Sequence, residues 1–126
     1  MTGQVIAGVG CRAGCPAEEI AALVRLACAR ANRAASALAA PEFKENEAGL
    51  RKAARDLDLP LLLMSERALA AAQPGCVTRS PIAAASVGVA SVAEGSALAA
   101  AGPGGRLLLL RIASARATCA LAEAGA

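Results

Sequence analysis

An α/β fold is what this sequence predicts: a central, mostly parallel sheet of about five strands, helices on both faces and a C-terminal β-hairpin, with residues 1–126 forming a single domain. Three observations carry that prediction. Short apolar runs of strand length alternate with longer segments whose apolar residues recur at helical spacing, the pattern of parallel strands joined by helices. Two strand-length runs, residues 107–112 and 117–121, are separated by the polar turn Ser114-Ala115-Arg116 and close as a hairpin. The composition, 56% hydrophobic and 1% aromatic with 36 alanines, gives a thin core in which helices and sheet approach closely.

The elements follow in order. Residues 4–9 alternate and run apolar with β-branched members, then stop at Gly10, so they read as a buried strand feeding a loop. Pro16 stands where a first helical residue belongs, and Glu18 and Glu19 lie in the first turn beside the positive helix end. Ile20, Leu23, Val24, Ala27, Cys28 and Ala31 repeat at helical spacing. A helix to about Ala37 results, with Arg25, Asn32 and Arg33 on a solvated face. Pro41 breaks the pattern, and residues 38–43 are either a short second strand or a loop. Residues 47–57 form a charged helix with Leu50, Ala53, Ala54 and Leu57 on one face, ended at Asp58-Leu59-Pro60. Residues 61–64 are a strand, Ser65 caps a helix through about Ala72, and Gln73-Pro74-Gly75 makes the turn. Ser80-Pro81 starts a further short helix ended by Gly88, and Ser91 caps a helix over 92–101, with Glu94 placed to complete a capping box.

Composition excludes several chemistries. His, Trp and Tyr are absent, so there is no imidazole relay, no His metal ligand and no stacking platform for unpaired bases. The longest charge-free stretch, residues 80–93, has 14 residues, too short for the ~20 of a membrane span. No cation precedes Arg12, so the N-terminus lacks the basic region of a secretory signal, and the expected location is the cytoplasm. Five cysteines, with Cys11 and Cys15 separated by three residues, fit neither a zinc site nor a thioredoxin motif; Cys28, Cys76 and Cys119 read as small hydrophobes. Of 13 cations 11 are Arg, consistent either with a high-GC genome or with a carboxylate- or phosphate-bearing ligand. They are spread along the chain rather than clustered, which disfavours nucleic acid.

Chemistry in open α/β sheets gathers at the carboxyl ends of strands. The first such loop, Gly8-Val9-Gly10-Cys11-Arg12-Ala13-Gly14, has G-x-G-x-x-x-G spacing, no P-loop Lys and no carboxylate between Glu19 and Glu42 to hold a ribose. It is therefore either a seat for an anionic group, built from free N–H groups and Arg12, or an ordinary turn with Arg12 in water. Cys11, beside Arg12 and a helix N-terminus, is where a thiolate would be favoured, although no His exists to act as its base. Lys44, Glu45, Asn46 and Glu47 form a second polar cluster. Arg111, Ser114, Arg116 and Thr118 surround the terminal hairpin.

The segments GVGCRAG, PAEEI, FKENEAGL, SPIAAASVGVASVAEGSAL and RIASARATCALA, in that order and over almost the whole chain, resemble the cobalamin-biosynthesis family formed by CobE and the C-terminal domain of CbiG. The resemblance implies a three-layer α/β/α sandwich and a role in building the corrin ring in the cytoplasm. It places the family's opening loop on Gly8, Gly10, Cys11, Arg12 and Gly14, its Lys-Ala-Asp-Glu-Pro-Gly-Leu segment on residues 44–50, and its Glu on Glu94. The family often has Lys where Arg111 stands, and a Thr matching Thr118. Asn46 replaces the family's Asp and Ala48 its Pro, leaving Lys44 and Glu47; Cys15-Pro16 replaces a better helix cap.

Two functional classes follow from the resemblance. The first is a protein that binds a corrinoid or precorrin intermediate, acting with or as a hydrolase of the cobalt-precorrin-5A type, which opens a δ-lactone and releases acetaldehyde. Glu47 or Glu94 would activate water, and Gly10, Cys11, Arg12, Gly14, Lys44, Arg111, Ser114 and Thr118 are the candidate ligand contacts. Late corrin precursors carry acetate and propionate carboxylates around an apolar macrocycle, which an apolar cleft rimmed by Arg12, Lys44, Arg111 and Arg116 would match. The second is a non-catalytic module that docks on another cobalamin-pathway enzyme. Neither needs a cofactor or a metal ligand from the protein, and neither nucleic acid nor membrane is an expected partner.

Overall fold

In the computed structural model, residues 3–77 and 92–125 are described. Strand β1 (Val5–Cys11) leads to helix α1 (Ala17–Ala31), β2 (Ala37–Pro41), a 3-10 turn over Glu42–Lys44 and α2 (Ala48–Leu57). Then come β3 (Leu61–Met64), α3 (Glu66–Ala72) with a 3-10 turn at Gln73–Gly75, α4 (Val92–Ala101), β4 (Arg106–Ala113) and β5 (Ala117–Glu123). The predicted helix begun by Ser80 and the cap at Ser91 lie outside the described residues.

The five strands make one sheet in the order β3-β2-β1-β5-β4. It is mixed rather than mostly parallel: β1–β2 and β2–β3 are parallel, β1–β5 and β4–β5 antiparallel. The cause is the placement of one strand. β1 to β4 share a direction, but the tight hairpin reverses β5, and β5 inserts between β1 and β4, so two of the pairings change sense. Burial explains why β5 takes the inner position. Its small side chains are buried almost throughout and fit under two helical covers, whereas the leucines of β4 are only partly covered at the edge.

The two faces carry separate apolar clusters. Val5, Ala7, Val9, Leu38, Ala40, Cys119 and Leu121 meet Ile20, Leu23, Val24, Leu50 and Ala53 of α1 and α2. Opposite them, Ile6, Ala37, Ala39 and Ala122 meet Ala97, Leu98 and Ala101 of α4 and Cys76. No side chain stands between β1 and α4 at Gly8, where an added Cβ would lie 2.6 Å from the Ala97 nitrogen and 2.9 Å from its Cβ. Among the described residues no helix is long and apolar enough to cross a membrane.

Several boundaries differ from the periodicity. α1 stops at Ala31, not near Ala37, because Asn32 adopts φ 54° and the Asn32 and Arg33 N–H groups turn back to the carbonyls of Ala29 and Cys28. Alanine-rich sequence extends helical spacing past the true end, while sheet pairing claims Ala37 for β2. The second strand forms, and Pro41 closes it opposite Met64. β1 runs on to Cys11, held by pairing with Ala117. Ser65 caps α3 as predicted, its Oγ accepting the Ala68 N–H at 3.1 Å.

Arg33, expected in water, instead donates to Glu123 Oε2 at 2.7 Å, and Arg106 donates to Oε1 at 2.9 Å. This ties the start of β4 and the end of β5 to the chain after α1. Arg33 first and Arg106 second hold the Glu123 carboxyl below its ordinary pKa. The unfolded chain therefore takes up this proton first: the stabilisation is complete above about pH 4.3, the ordinary glutamate value, and is lost as pH falls through the lower folded one. Between about pH 6 and about pH 3, urea midpoints are expected to fall more steeply for the wild type than for Glu123→Gln. Parallel curves would show that the pair contributes nothing.

Candidate functional site

Parallel β1, β2 and β3 bring their carboxyl ends to one edge of the sheet, and the pairing of Cys11 with Ala117 brings the β4–β5 turn to that same edge. Four loops therefore meet there: those after β1, β2 and β3, and the hairpin turn. Arg12 donates its N–H to the Arg116 carbonyl at 2.9 Å, and Cys15 closes the turn by donating to the Arg12 carbonyl at 3.1 Å. Gly14 adopts φ 78°, a conformation glycine takes without a Cβ penalty.

α2 packs its first turn onto this loop. Gly49 allows the contact, since a Cβ there would strike the Cys15 carbonyl oxygen. The approach places Glu47, at the N-cap of α2, so that its Oε2 accepts the Gly14 N–H at 2.9 Å. The anion held by the glycine turn in this structure is thus the chain's own carboxylate. Lys44 ends the 3-10 turn before it, close enough to Cys11 to act on its ionisation.

Cys11 does not carry the favoured thiolate that its sequence position predicts. Burial pushes its pKa up to about 11, against a lowering by Lys44, and Glu47 and Cys15 add to the rise. Cys15 is also raised, by burial first and Glu19 second. A thiol so protonated at neutral pH is a poor nucleophile.

Across the same edge, Glu19 in the first turn of α1 accepts from the Ser114 hydroxyl, from the Arg116 N–H at 2.7 Å and from Arg116 Nε at 2.9 Å. These bonds, led by the one from Ser114, hold the Glu19 carboxyl below its ordinary pKa. Ser114 and Arg116 are thereby committed to shaping the turn. Sequence reading gave Glu19 only a helix-end role, because nothing local marks a partner 95 residues away.

The remaining candidates stand on the α4 face. Thr118 Oγ1 donates to the Gly10 carbonyl at 3.5 Å and lies 2.7 Å from where a Gly10 Cβ would be, so Gly10 permits a close approach of β1, β5 and Val92. Glu94 is fully buried, and its two oxygens accept the Val77 N–H at 2.8 Å and the Arg111 N–H at 2.9 Å. That is a larger tie than the local capping box predicted from the sequence. Ser91, the other half of the box, is outside the described residues.

Charge pairing sorts the cations. Arg33, Lys52, Arg106 and Arg116 are in salt bridges. Arg12, Lys44 and Arg111 have no carboxylate within ion-pair distance among the described residues, as is also true of Arg25, Arg30, Arg51, Arg55 and Arg67 on the helices, and Arg12 is exposed in its loop. No group of three or more Cys, Asp or Glu is placed to hold a metal among those residues.

Comparison with known proteins agrees with this architecture. The model of the family described as cobalamin synthesis G C-terminus matches residues 5–122. Protein CobE of a Sinorhizobium species is 35% identical over 121 residues, covering 94% of this chain and 79% of that protein. The crystal structure of CobE, a protein from the cobalamin (vitamin B12) biosynthetic pathway, superposes with a TM-score of 0.90 at 36% identity, covering 96% of this chain and 90% of the other. The cobalamin biosynthesis protein chiG of Agrobacterium tumefaciens C58 superposes with a TM-score of 0.79 at 35% identity, covering 97% and 99%. A fold shared along nearly the full length with proteins of one pathway, together with the family match, establishes that this chain belongs to the cobalamin synthesis G C-terminus family.

Proposed function

We propose that the protein serves cobalamin biosynthesis by binding a corrinoid or precorrin intermediate at the carboxyl edge of the sheet. The observation that supports this reading is that Arg12, Lys44 and Arg111, on a loop, a 3-10 turn and a strand that run to that edge, have no carboxylate within ion-pair distance among the described residues. A corrin precursor offers what such an edge lacks: several carboxylates spaced around a rigid macrocycle, each able to take a charge-assisted hydrogen bond. In this reading Gly10, Gly14 and Thr118 shape the floor, Cys11 packs as a protonated thiol, and Ser114 holds the hairpin turn.

If turnover follows binding, Glu47 is the carboxylate for it. Its Oε2 holds Gly14, while Oε1 has no hydrogen bond among the described residues and Glu47 is half-buried. Both oxygens of Glu94 are occupied by backbone donors, which removes it from base catalysis of the cobalt-precorrin-5A hydrolase type.

An absorption spectrum of the protein purified from a corrinoid-making strain tests the reading. Bound visible absorbance, and a rise in melting temperature with hydrogenobyrinic acid at low salt, are the expected results. Colourless protein with no thermal shift for any of several corrinoids overturns it. Recovery of a pathway enzyme from a corrinoid-free strain would then favour the docking module.

A further inference from the structure

β4 pairs with β5 out of step. Leu109 lies opposite Leu121 and Ile112 opposite Cys119, so Leu110 and Arg111 together face the single residue Ala120. This is a β-bulge, and a bulge leaves a backbone N–H outside the ladder. That donor is not lost to water. Arg111 N–H reaches Glu94 Oε2 at 2.9 Å, and Glu94 is 0% exposed. The same carboxylate takes the Val77 N–H through Oε1 at 2.8 Å, so it spans from the turn after α3 to the edge strand.

Burying a carboxylate costs several kcal/mol unless donors surround it. Here the donors are main-chain groups, and Glu94 lies in the first turn of α4, where the helix dipole favours a negative charge. The result is a rigid post. Arg111 is one of the unpaired cations at the functional edge, and its backbone is fixed by an electrostatic anchor rather than by sheet pairing.

We infer that Glu94 is a positioning residue, whose buried carboxylate holds the β4 bulge by the Arg111 N–H and so sets where the Arg111 guanidinium meets a carboxylate of the ligand. The inference rests on the corrinoid-binding reading above. Glutamine at this position removes the charge, so the Arg111 N–H meets either an NH2, and loses its acceptor, or a neutral amide oxygen, a weaker acceptor than the carboxylate.

The experiment is a double-mutant cycle on the full chain, titrated with hydrogenobyrinic acid by visible absorbance. Arg111→Ala is expected to weaken binding on the order of tenfold, the loss of one charge-assisted contact. Glu94→Gln is expected to weaken it comparably, and the double variant to bind within about twofold of Arg111→Ala alone, because both act through one contact. The 15N-labelled Arg111 amide should move upfield in Glu94→Gln, a readout that general loosening of the fold would not confine to that residue. Wild-type affinity in Glu94→Gln, losses that multiply in the double variant, or an unmoved Arg111 amide each overturn the inference. If the wild type itself binds no corrinoid, the binding reading fails and takes the inference with it, which is a different result from failure of the cycle. Should Glu94→Gln not fold, Glu94→Asp, with its carboxylate drawn back by one methylene, replaces it in the same cycle with the same outcomes.

Discussion

Replacing Gly8 by Ala is expected to destabilise the protein by about 3 kcal/mol, the upper part of the range for overpacking, with a melting temperature roughly 10 °C lower. The reason is the absence of anything soft to move. A Cβ on Gly8 would lie 2.6 Å from the backbone nitrogen and 2.9 Å from the Cβ of Ala97, and closer still to the Ala93 carbonyl oxygen. All belong to α4, and β1 cannot retreat because β2 and β5 flank it and α1 and α2 cover its other face. Gly10→Ala provides the contrast. Its nearest obstacle is the Thr118 hydroxyl at 2.7 Å, the end of a side chain that rotates away. Thermal melts of the two variants should separate clearly; equal melts would show that α4 is free to lift from the sheet.

Loss of the Arg12 side chain is expected to have the largest effect on ligand binding with little effect on the fold. Arg12→Ala should weaken corrinoid binding by about 2 kcal/mol, some thirtyfold, the scale of a bidentate guanidinium–carboxylate contact. The side chain has no ion pair to lose, and the loop is held by backbone bonds that alanine retains: Arg12 N–H to Arg116, and Cys15 N–H to the Arg12 carbonyl. An unliganded melting temperature within about 1 °C of the wild type is therefore expected, since an exposed side chain away from such bonds contributes little. Protein that keeps its colour and its affinity after the substitution would place the ligand away from the first loop.

The local elements were legible because their determinants are local. Leu50, Ala53, Ala54 and Leu57 announce one face of α2, and Ser65 its neighbour's cap, within a few residues of each other. The polar turn 114–116 between two apolar runs announces the hairpin. The end of α1 is not legible because alanine is at home in a helix, and the stop depends on Asn32 entering the left-handed region, which composition barely signals. The state of the Cys11 thiol is hidden for a related reason: the sequence shows Arg12 beside it but not the burial that outweighs every charge nearby.

The candidate site divides in the same way. Its members lie in loops and at element ends whose order the sequence shows, or in the α4 helix, and the family motifs single most of them out. Their roles were not visible. Glu47 reaches across 33 residues to Gly14, Glu19 across 97 to Arg116, and Glu94 spans 17 residues in each direction to hold Val77 and Arg111. Such partners are chosen by competition among all the carboxylates and donors that the fold brings together.

By itself the sequence determined the succession of strands and helices, the closing hairpin and the membership of the family, because periodicity, caps and motifs act over a few residues at a time. Tertiary structure alone decided that β5 enters between β1 and β4, that β4 bulges at Arg111, and which cations are left without carboxylates. Those outcomes depend on which surfaces bury best against each other at long range, a comparison that no single segment contains.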